Sequence, residues 1–87
     1  MAYKVIYSPR AAKSLRKIPK QYQINIKNKV GKLSRDPYMP GTIKLVDYPA
    51  AEFRYRIGNY RILFDINKSD KIIEILDIRK RDEKTYS

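Results

Sequence analysis

The stretch from Phe53 to Ile66 constrains the fold most, because apolar residues recur at every second position on both sides of the pair Gly58-Asn59. This period is typical of two strands that each bury one face. Gly-Asn is a signal for a two-residue hairpin turn, since the turns that match strand twist need positive φ. With that turn, Arg56 faces Arg61 across the hairpin. The other predicted pairs are Ile57–Tyr60, Tyr55–Ile62, Arg54–Leu63 and Phe53–Phe64.

The first half of the chain predicts a strand followed by two helices. Residues 3–7 are rich in β-branched and aromatic side chains, which favour a strand. Ser8 as N-cap and Pro9 at the first helical position mark a helix start, and Pro19 ends that helix. Apolar residues at helical spacing then predict a second helix over about 20–35.

The second half predicts an antiparallel β-meander. A short strand is expected over 43–46, and the hairpin follows it. A loop over 67–70 leads to a last strand over 71–78, whose mixed apolar character is typical of a central strand. We therefore predict an α+β fold with an N-terminal strand, an α-helical hairpin and an antiparallel meander packed on two helices. Its 87 residues fit a single domain spanning 1–87.

The charge of the chain points to a polyanionic partner. Its formal net charge is +11, from 20 Lys and Arg against 9 Asp and Glu, and such self-repulsion usually accompanies nucleic-acid binding. An acidic protein partner is an alternative that would also neutralise this positive charge. The absence of cysteine and histidine excludes disulfides, thiol nucleophiles and Ser-His or Cys-His catalysis. With no apolar signal region or membrane-length apolar run, we expect a cytoplasmic protein without membrane partners.

The polar face of the predicted hairpin is the candidate site. Arg56 lies opposite Arg61, and Arg54 is two positions along the same strand. Like charges directly opposite on a sheet cost roughly 0.2–1 kcal/mol, so folding alone does not favour this pair. One interpretation is a solvated surface with interchangeable arginines. The other is that the guanidinium groups converge on a phosphate, which arginine matches with a bidentate fork.

Further candidates lie in the C-terminal tail and on the helices. The last strand runs back beside Arg61, so the basic residues after it emerge near the same end of the sheet. Tyr86 could stack on a base or take part in proton transfer, or it could be incidental to a basic terminus. Glu52 and Asp65 make a poor metal site in a cationic surface, so we expect no metal and no cofactor. The predicted RNA-binding residues are Arg79, Lys80, Lys44, Lys13 and Arg16.

The order of these elements resembles the RelE/ParE toxin superfamily, and its RelE branch in particular. The resemblance covers essentially the whole chain. It implies a toxin restrained by an antitoxin and acting as a ribosome-dependent endoribonuclease that cuts mRNA, with ribosomal RNA and mRNA as partners. The segments that carry it are Ser8-Pro9, 41–45, 53–64, 75–81 and the late Tyr86.

The resemblance also implies a set of catalytic residues. Basic positions on the meander, an arginine after the hairpin, an arginine at the end of the last strand and a C-terminal tyrosine fall on Arg54, Arg56, Arg61, Arg81 and Tyr86. Arg79 is an alternative for the part assigned to Arg81. Lysine also occurs in the family at the first two positions. Because arginine does not readily lose a proton, Arg54 and Arg56 would stabilise charge and act poorly as bases.

The sequence is also compatible with two other functions. One is inhibition of DNA gyrase, as in ParE-like chains, which share the fold. The other is RNA binding without chemistry. In either toxin reading, a basic surface needs neutralising, and an antitoxin with an acidic, helix-forming segment would suit it.

Overall fold

The computed structural model describes residues 2–80, which form a five-stranded sheet with two helices against one face. In chain order the elements are β1 (Lys4–Tyr7), α1 (Pro9–Arg16), α2 (Lys20–Arg35), β2 (Ile43–Lys44), β3 (Phe53–Ile57), β4 (Tyr60–Asn67) and β5 (Ile72–Lys80). The predicted α+β class, both helices and the meander are confirmed.

The two helices begin and end close to where the sequence predicts. The Ser8 side chain accepts a hydrogen bond from the backbone N–H of Ala11 at 3.1 Å, and Pro9 follows it at the first helical position. A sharp break at Pro19 separates the helices, since proline lacks the N–H that a continuous helix needs. The apolar stripe of α2 is then buried through Ile26, Val30 and Leu33.

The β3–β4 hairpin adopts the predicted register at all five pairs, from Phe53–Phe64 to Ile57–Tyr60. Gly58 takes a φ of 57°, the left-handed conformation that glycine adopts at little cost. All apolar residues of one hairpin face therefore point towards the helices, and the arginines point away.

The order of strands in the sheet is β1-β5-β4-β3-β2. Consecutive strands from β2 to β5 are antiparallel, whereas β1 lies parallel to β5. The sheet is thus mixed, and its first and last strands are neighbours. The sequence pattern gave no indication of this pairing, because it joins segments at opposite ends of the chain.

The core lies between the helices and one face of the sheet. Phe64 is fully buried at its centre, and its ring stacks on Phe53 with centroids 5.8 Å apart. Neither helix of the described residues is long and apolar enough to cross a membrane. The buried cluster comprises Ala11, Leu15, Ile18, Ile26, Val30, Leu33, Tyr60, Ile62, Phe64, Ile73, Ile75 and Ile78.

A bulge in β5 changes which residues of that strand face the core. Phe64 pairs with Ile75 and the preceding Leu63 pairs with Asp77, so Leu76 is an extra residue in the ladder. Before the bulge Ile75 is buried in the core, and after it Ile78 is buried there. If these residues formed a regular strand without a bulge, the alternation of the buried Ile73 and Ile75 would turn Asp77 inwards.

Ser8 joins the start of α1 to this bulge. Its backbone N–H donates to the Ile75 carbonyl at 2.8 Å, and its hydroxyl donates to the Leu76 carbonyl at 2.8 Å. The same hydroxyl oxygen accepts from Ala11 to cap the helix. One side chain therefore satisfies both a helix N-terminus and the carbonyl that the bulge displaces from the ladder.

Replacing Ser8 with alanine should lower the free energy of unfolding by about 1–2 kcal/mol, because a cap and a half-buried carbonyl both lose a partner. Urea denaturation followed by circular dichroism measures this. Ser34→Ala is the matched control, since the Ser34 hydroxyl makes one exposed bond to Gly31 and should cost less than about 0.5 kcal/mol. Equal effects of the two substitutions would contradict the role given to Ser8.

Candidate functional site

The sheet face opposite the helices carries arginines on three adjacent strands. Arg61 on β4 has Arg56 of β3 as its partner on one side and Arg79 of β5 on the other. Arg54 lies two positions along β3 from Arg56 and faces Leu63. We call this surface the arginine face. The hairpin register and the bulge together produce it.

Three of these arginines surround one small cleft of about 100 Å³, which we call the arginine cleft. Leu63, which is 4% exposed, forms an apolar floor beneath the charged groups. A low-polarity floor strengthens the attraction between a guanidinium and a bound anion, because it excludes water from one side. The lining residues are Leu45, Tyr48, Arg54, Arg61, Leu63 and Arg79.

Two neighbours hold the Arg79 side chain in place. Its Nε donates to Asp77 Oδ2 at 3.0 Å, and its Nη1 donates to the Tyr48 hydroxyl at 2.7 Å. The bond to Asp77 contributes most to a pKa of Arg79 that lies above its ordinary value. The two bonds use two of the five N–H donors of the guanidinium, so its orientation is fixed while it keeps its charge.

Asp77 is in turn anchored to α1 and to its own strand. Its Oδ1 accepts from the Ser14 hydroxyl at 3.2 Å and from the Ile78 N–H at 2.8 Å. Burial raises the pKa of Asp77, but the hydrogen bonds from Arg79, Ile78 and Ser14 outweigh it, and the pKa lies below its ordinary value. Asp77 therefore stays ionised as the counter-charge that positions Arg79.

Arg56 belongs to the arginine face but does not line the cleft. Its Nε donates to the Gly58 carbonyl at 3.2 Å, an exposed bond that directs the side chain towards the hairpin turn. Its backbone is nevertheless directly opposite Arg61. Arg56 is thus placed to meet a ligand that extends beyond the cleft along the hairpin.

The predicted RNA-binding residues are spread over several surfaces. Lys80 lines a separate groove with Tyr22 and Tyr60 on the helix side of the sheet. Lys44 borders a large cavity of about 760 Å³. Lys13 and Arg16 are exposed on α1. Arg79 is the member of this set that lines the arginine cleft.

Two predicted catalytic residues, Arg81 and Tyr86, lie outside the described residues 2–80. Their roles stay predictions. Arg79, the alternative for the tail arginine, is described and lines the cleft.

The opposite end of the arginine face is acidic. Glu52, Asp65 and Glu74 border the large cavity there, and the Glu52 backbone N–H donates to Asp65 Oδ1 at 2.8 Å. Within residues 2–80, no three acidic side chains are grouped closely enough to hold a metal ion. The carboxylates of this face therefore lie at the end away from the arginine cleft, where Lys44 and Lys68 border the same cavity.

Tyr48 is the residue of the cleft that sequence reasoning missed. It belongs to the loop between β2 and β3, where the pattern Asp47-Tyr48-Pro49 carries no period and no known signal. β2 ends at Lys44, earlier than the predicted strand, which leaves a longer loop that reaches the arginines. The role of Asp77 was missed as well, since its direction depends on the bulge.

Comparisons with known proteins give one family match and several structural matches. A family model described as "ParE toxin of type II toxin-antitoxin system, parDE" matches residues 5–85 of the chain. No curated protein is significantly similar to the sequence.

The fold is similar to several solved toxin structures. The toxin–antitoxin complex RelBE2 from Mycobacterium tuberculosis aligns with a TM-score of 0.82 and 28% identity, covering 93% of this chain and 100% of that chain. The archaeal RelE–RelB complex from Pyrococcus horikoshii aligns with a TM-score of 0.81 and 28% identity, covering 95% of this chain and 99% of that chain. The isolated E. coli RelE toxin aligns with a TM-score of 0.79 and 19% identity, covering 94% of this chain and 87% of that chain. At this identity the similarity shows a shared fold.

The anchoring of Asp77 predicts a pH-dependent stability difference. Because its pKa is lower in the folded chain, its ionised form stabilises the fold above the unfolded value of about 3.9, and that contribution is lost as the pH falls through the folded pKa. Asp77→Asn should therefore be less stable than wild type at pH 7, and the difference in the free energy of unfolding should shrink as the pH falls below about 3.9. Urea titrations at several pH values measure it. Asp70→Asn is the control, because the Asp70 carboxylate accepts one exposed hydrogen bond, from Asn67. A difference that is independent of pH, or equal to that of Asp70→Asn, would contradict the role of Asp77.

Proposed function

Because the chain belongs to the family of ParE toxins of type II toxin–antitoxin systems, within the RelE/ParE superfamily, we propose that its toxic activity resides in the arginine cleft. We propose further that this activity is ribosome-dependent cleavage of translated mRNA. The observation that carries the proposal is the convergence of Arg54, Arg61 and Arg79, from three adjacent strands, on one cleft of about 100 Å³.

A phosphodiester suits this cleft better than a carboxylate-bearing small molecule does. Planar guanidinium groups bind phosphate oxygens bidentately and keep their charge at any physiological pH. A phosphodiester differs from a carboxylate because attack on its phosphorus forms a phosphorane with additional negative charge, which several guanidinium groups can stabilise. Their mutual repulsion, roughly 0.2–1 kcal/mol for each directly opposed pair, is relieved when an anion binds among them.

The reaction that this site supports is attack of a ribose 2′-oxygen on the adjacent phosphorus. A bond forms between the 2′-oxygen and phosphorus, and the bond to the 5′-oxygen breaks. A proton leaves the 2′-hydroxyl, and another reaches the departing 5′-oxygen. The arginines would stabilise the extra negative charge of the phosphorane, in the way that oxyanion donors do.

Dependence on the ribosome follows from what the cleft lacks. The sequence contains no histidine, and arginine is a poor base. An efficient acid–base pair commonly contributes about 10²–10⁴-fold, so another source of rate is needed. A ribosome that holds mRNA near its in-line geometry could supply it through positioning.

The basic helices suit the same proposal. Exposed cations on α1, including Lys13 and Arg16, would contact ribosomal RNA while the opposite sheet face meets mRNA. With a net charge of +11, such contacts should strengthen as salt is lowered. The proposed substrate places the activity in the cytoplasm, where translation occurs.

An antitoxin is the second partner that we propose. The M. tuberculosis and P. horikoshii relatives were solved as complexes with their antitoxins. A partner with an acidic, helix-forming segment would neutralise the basic surfaces of this chain.

Inhibition of DNA gyrase is the second candidate, since the matching family model is named for ParE toxins. The two functions give different products in cells. Induction followed by mapping of the 5′ ends of translated messages would reveal mRNA cleavage. A DNA-damage response with intact mRNA would select the gyrase alternative.

Arg61→Ala should lower the rate of mRNA cleavage on programmed ribosomes by about 10²–10³-fold, as expected for removal of a charge-stabilising donor. Primer extension on the ribosome-bound message measures the rate. Arg35→Ala is the matched control, because Arg35 is exposed in the last turn of α2, away from the cleft. This variant should cleave mRNA at nearly the wild-type rate. A folded Arg61→Ala variant with full activity would contradict the site assignment.

A further inference from the structure

Tyr48 combines an aromatic ring with a position beside three cations. It lines the arginine cleft, and 38% of its surface is exposed. Its hydroxyl is engaged by Arg79 at 2.7 Å, so the ring stands at the rim of the cleft. If a ribonucleotide phosphate binds at these arginines, as proposed above, the base of that nucleotide must lie to one side of them.

The loop that carries Tyr48 is held in a defined shape. The Leu45 N–H donates to the Glu52 carbonyl at 2.8 Å and closes the base of the loop. Asp47 has a φ of 53°, a left-handed conformation that costs a residue with a side chain more than it costs glycine. Pro49 restricts the backbone on the other side of Tyr48. The ring is therefore positioned before any ligand arrives.

Tyr22 and Tyr38 are also exposed but have other neighbours, and the Nζ of Lys68 lies 5.2 Å from the centroid of the Tyr38 ring. Tyr22 packs against Tyr60 with ring centroids 5.9 Å apart, and Tyr38 meets Phe53 edge-on at 5.9 Å. Neither belongs to the arginine cleft. Tyr48 instead bonds through its hydroxyl to a cleft arginine, so its orientation is coupled to the groups that bind phosphate.

We propose that Tyr48 is a nucleobase platform, on which the base next to the phosphate in the arginine cleft stacks. This inference rests on the proposed function, because it assumes that the cleft receives a ribonucleotide phosphate. An aromatic ring beside a cationic groove is the usual arrangement for binding single-stranded RNA, and it tolerates any base because every base has a π-face. The hydrogen bond to Arg79 holds the ring beside the arginines of the cleft.

The test compares two ligands that differ in their bases alone. One is a short single-stranded RNA, and the other is a ribose-phosphate strand of the same length and charge without bases. Titration of the isolated protein at low salt gives the ratio of the two affinities. Loss of one stacked base should reduce binding by about 5- to 150-fold, so Tyr48→Ala should lower the ratio by that factor and leave affinity for the abasic strand nearly unchanged.

Two further variants separate the ring from its hydroxyl and from general effects. Tyr48→Phe keeps the ring and should retain most of the affinity ratio. Tyr22→Ala removes an aromatic ring of similar exposure, 43%, on the opposite side of the sheet, and should leave the ratio unchanged. Circular dichroism confirms that each variant is folded before its affinities are compared.

Base-dependent binding that Tyr48→Ala abolishes and Tyr48→Phe keeps would support the proposal. A ratio that does not respond to Tyr48→Ala, or no binding of RNA at low salt, would overturn it and would favour an acidic protein segment as the ligand of the cleft. The result is independent of catalysis. If Tyr48→Ala lowers the ratio but wild type cuts no message on ribosomes, the platform stands and the proposed activity falls.

Discussion

The contact between Ser8 and the Leu76 bulge is the interaction on which the rest of the structure depends. The extra residue reverses the alternation of β5, so that Asp77 and Arg79 leave the core face and join the arginine face. Burying the carbonyl of Leu76 without a partner would be costly, and the Ser8 hydroxyl donates a hydrogen bond to it at 2.8 Å. A helix cap at one end of the chain thereby determines where a cation lies near the other.

The site illustrates how a small domain tolerates clustered charge. Three guanidinium groups share one cleft above the buried side chain of Leu63, an arrangement that opposes folding. Asp77 offsets part of that repulsion through its ion pair with Arg79, and it is fixed from behind by Ser14. The remaining positive charge is what an anionic ligand would neutralise, so the cost in stability and the capacity to bind have the same origin.

Local sequence patterns predicted most of the fold. The features that they missed depend on contacts between residues far apart in the sequence. The hairpin register followed from the Gly58 turn and from a two-residue period, and it placed Arg54 and Arg61 on one face. The start of α1 followed from Ser8 and Pro9, and the break between the two helices followed from Pro19. The parallel partner of β1 was not predictable, because no local signal specifies which distant strand completes a sheet. The bulge was missed because an extra residue in an apolar strand looks like continued alternation, and Tyr48 because an aperiodic loop reveals no direction.

The parallel pairing of β1 with β5 has a consequence for biosynthesis. β1 is synthesised first, but it cannot pair until β5 has been synthesised. Pairing between strands so far apart in the sequence makes folding slow. Until β5 has emerged, a growing chain lacks Arg79 and Asp77 and has no assembled cleft. In a chain of this topology, the arginine cleft is therefore complete only after β5 has been synthesised and has paired with β4.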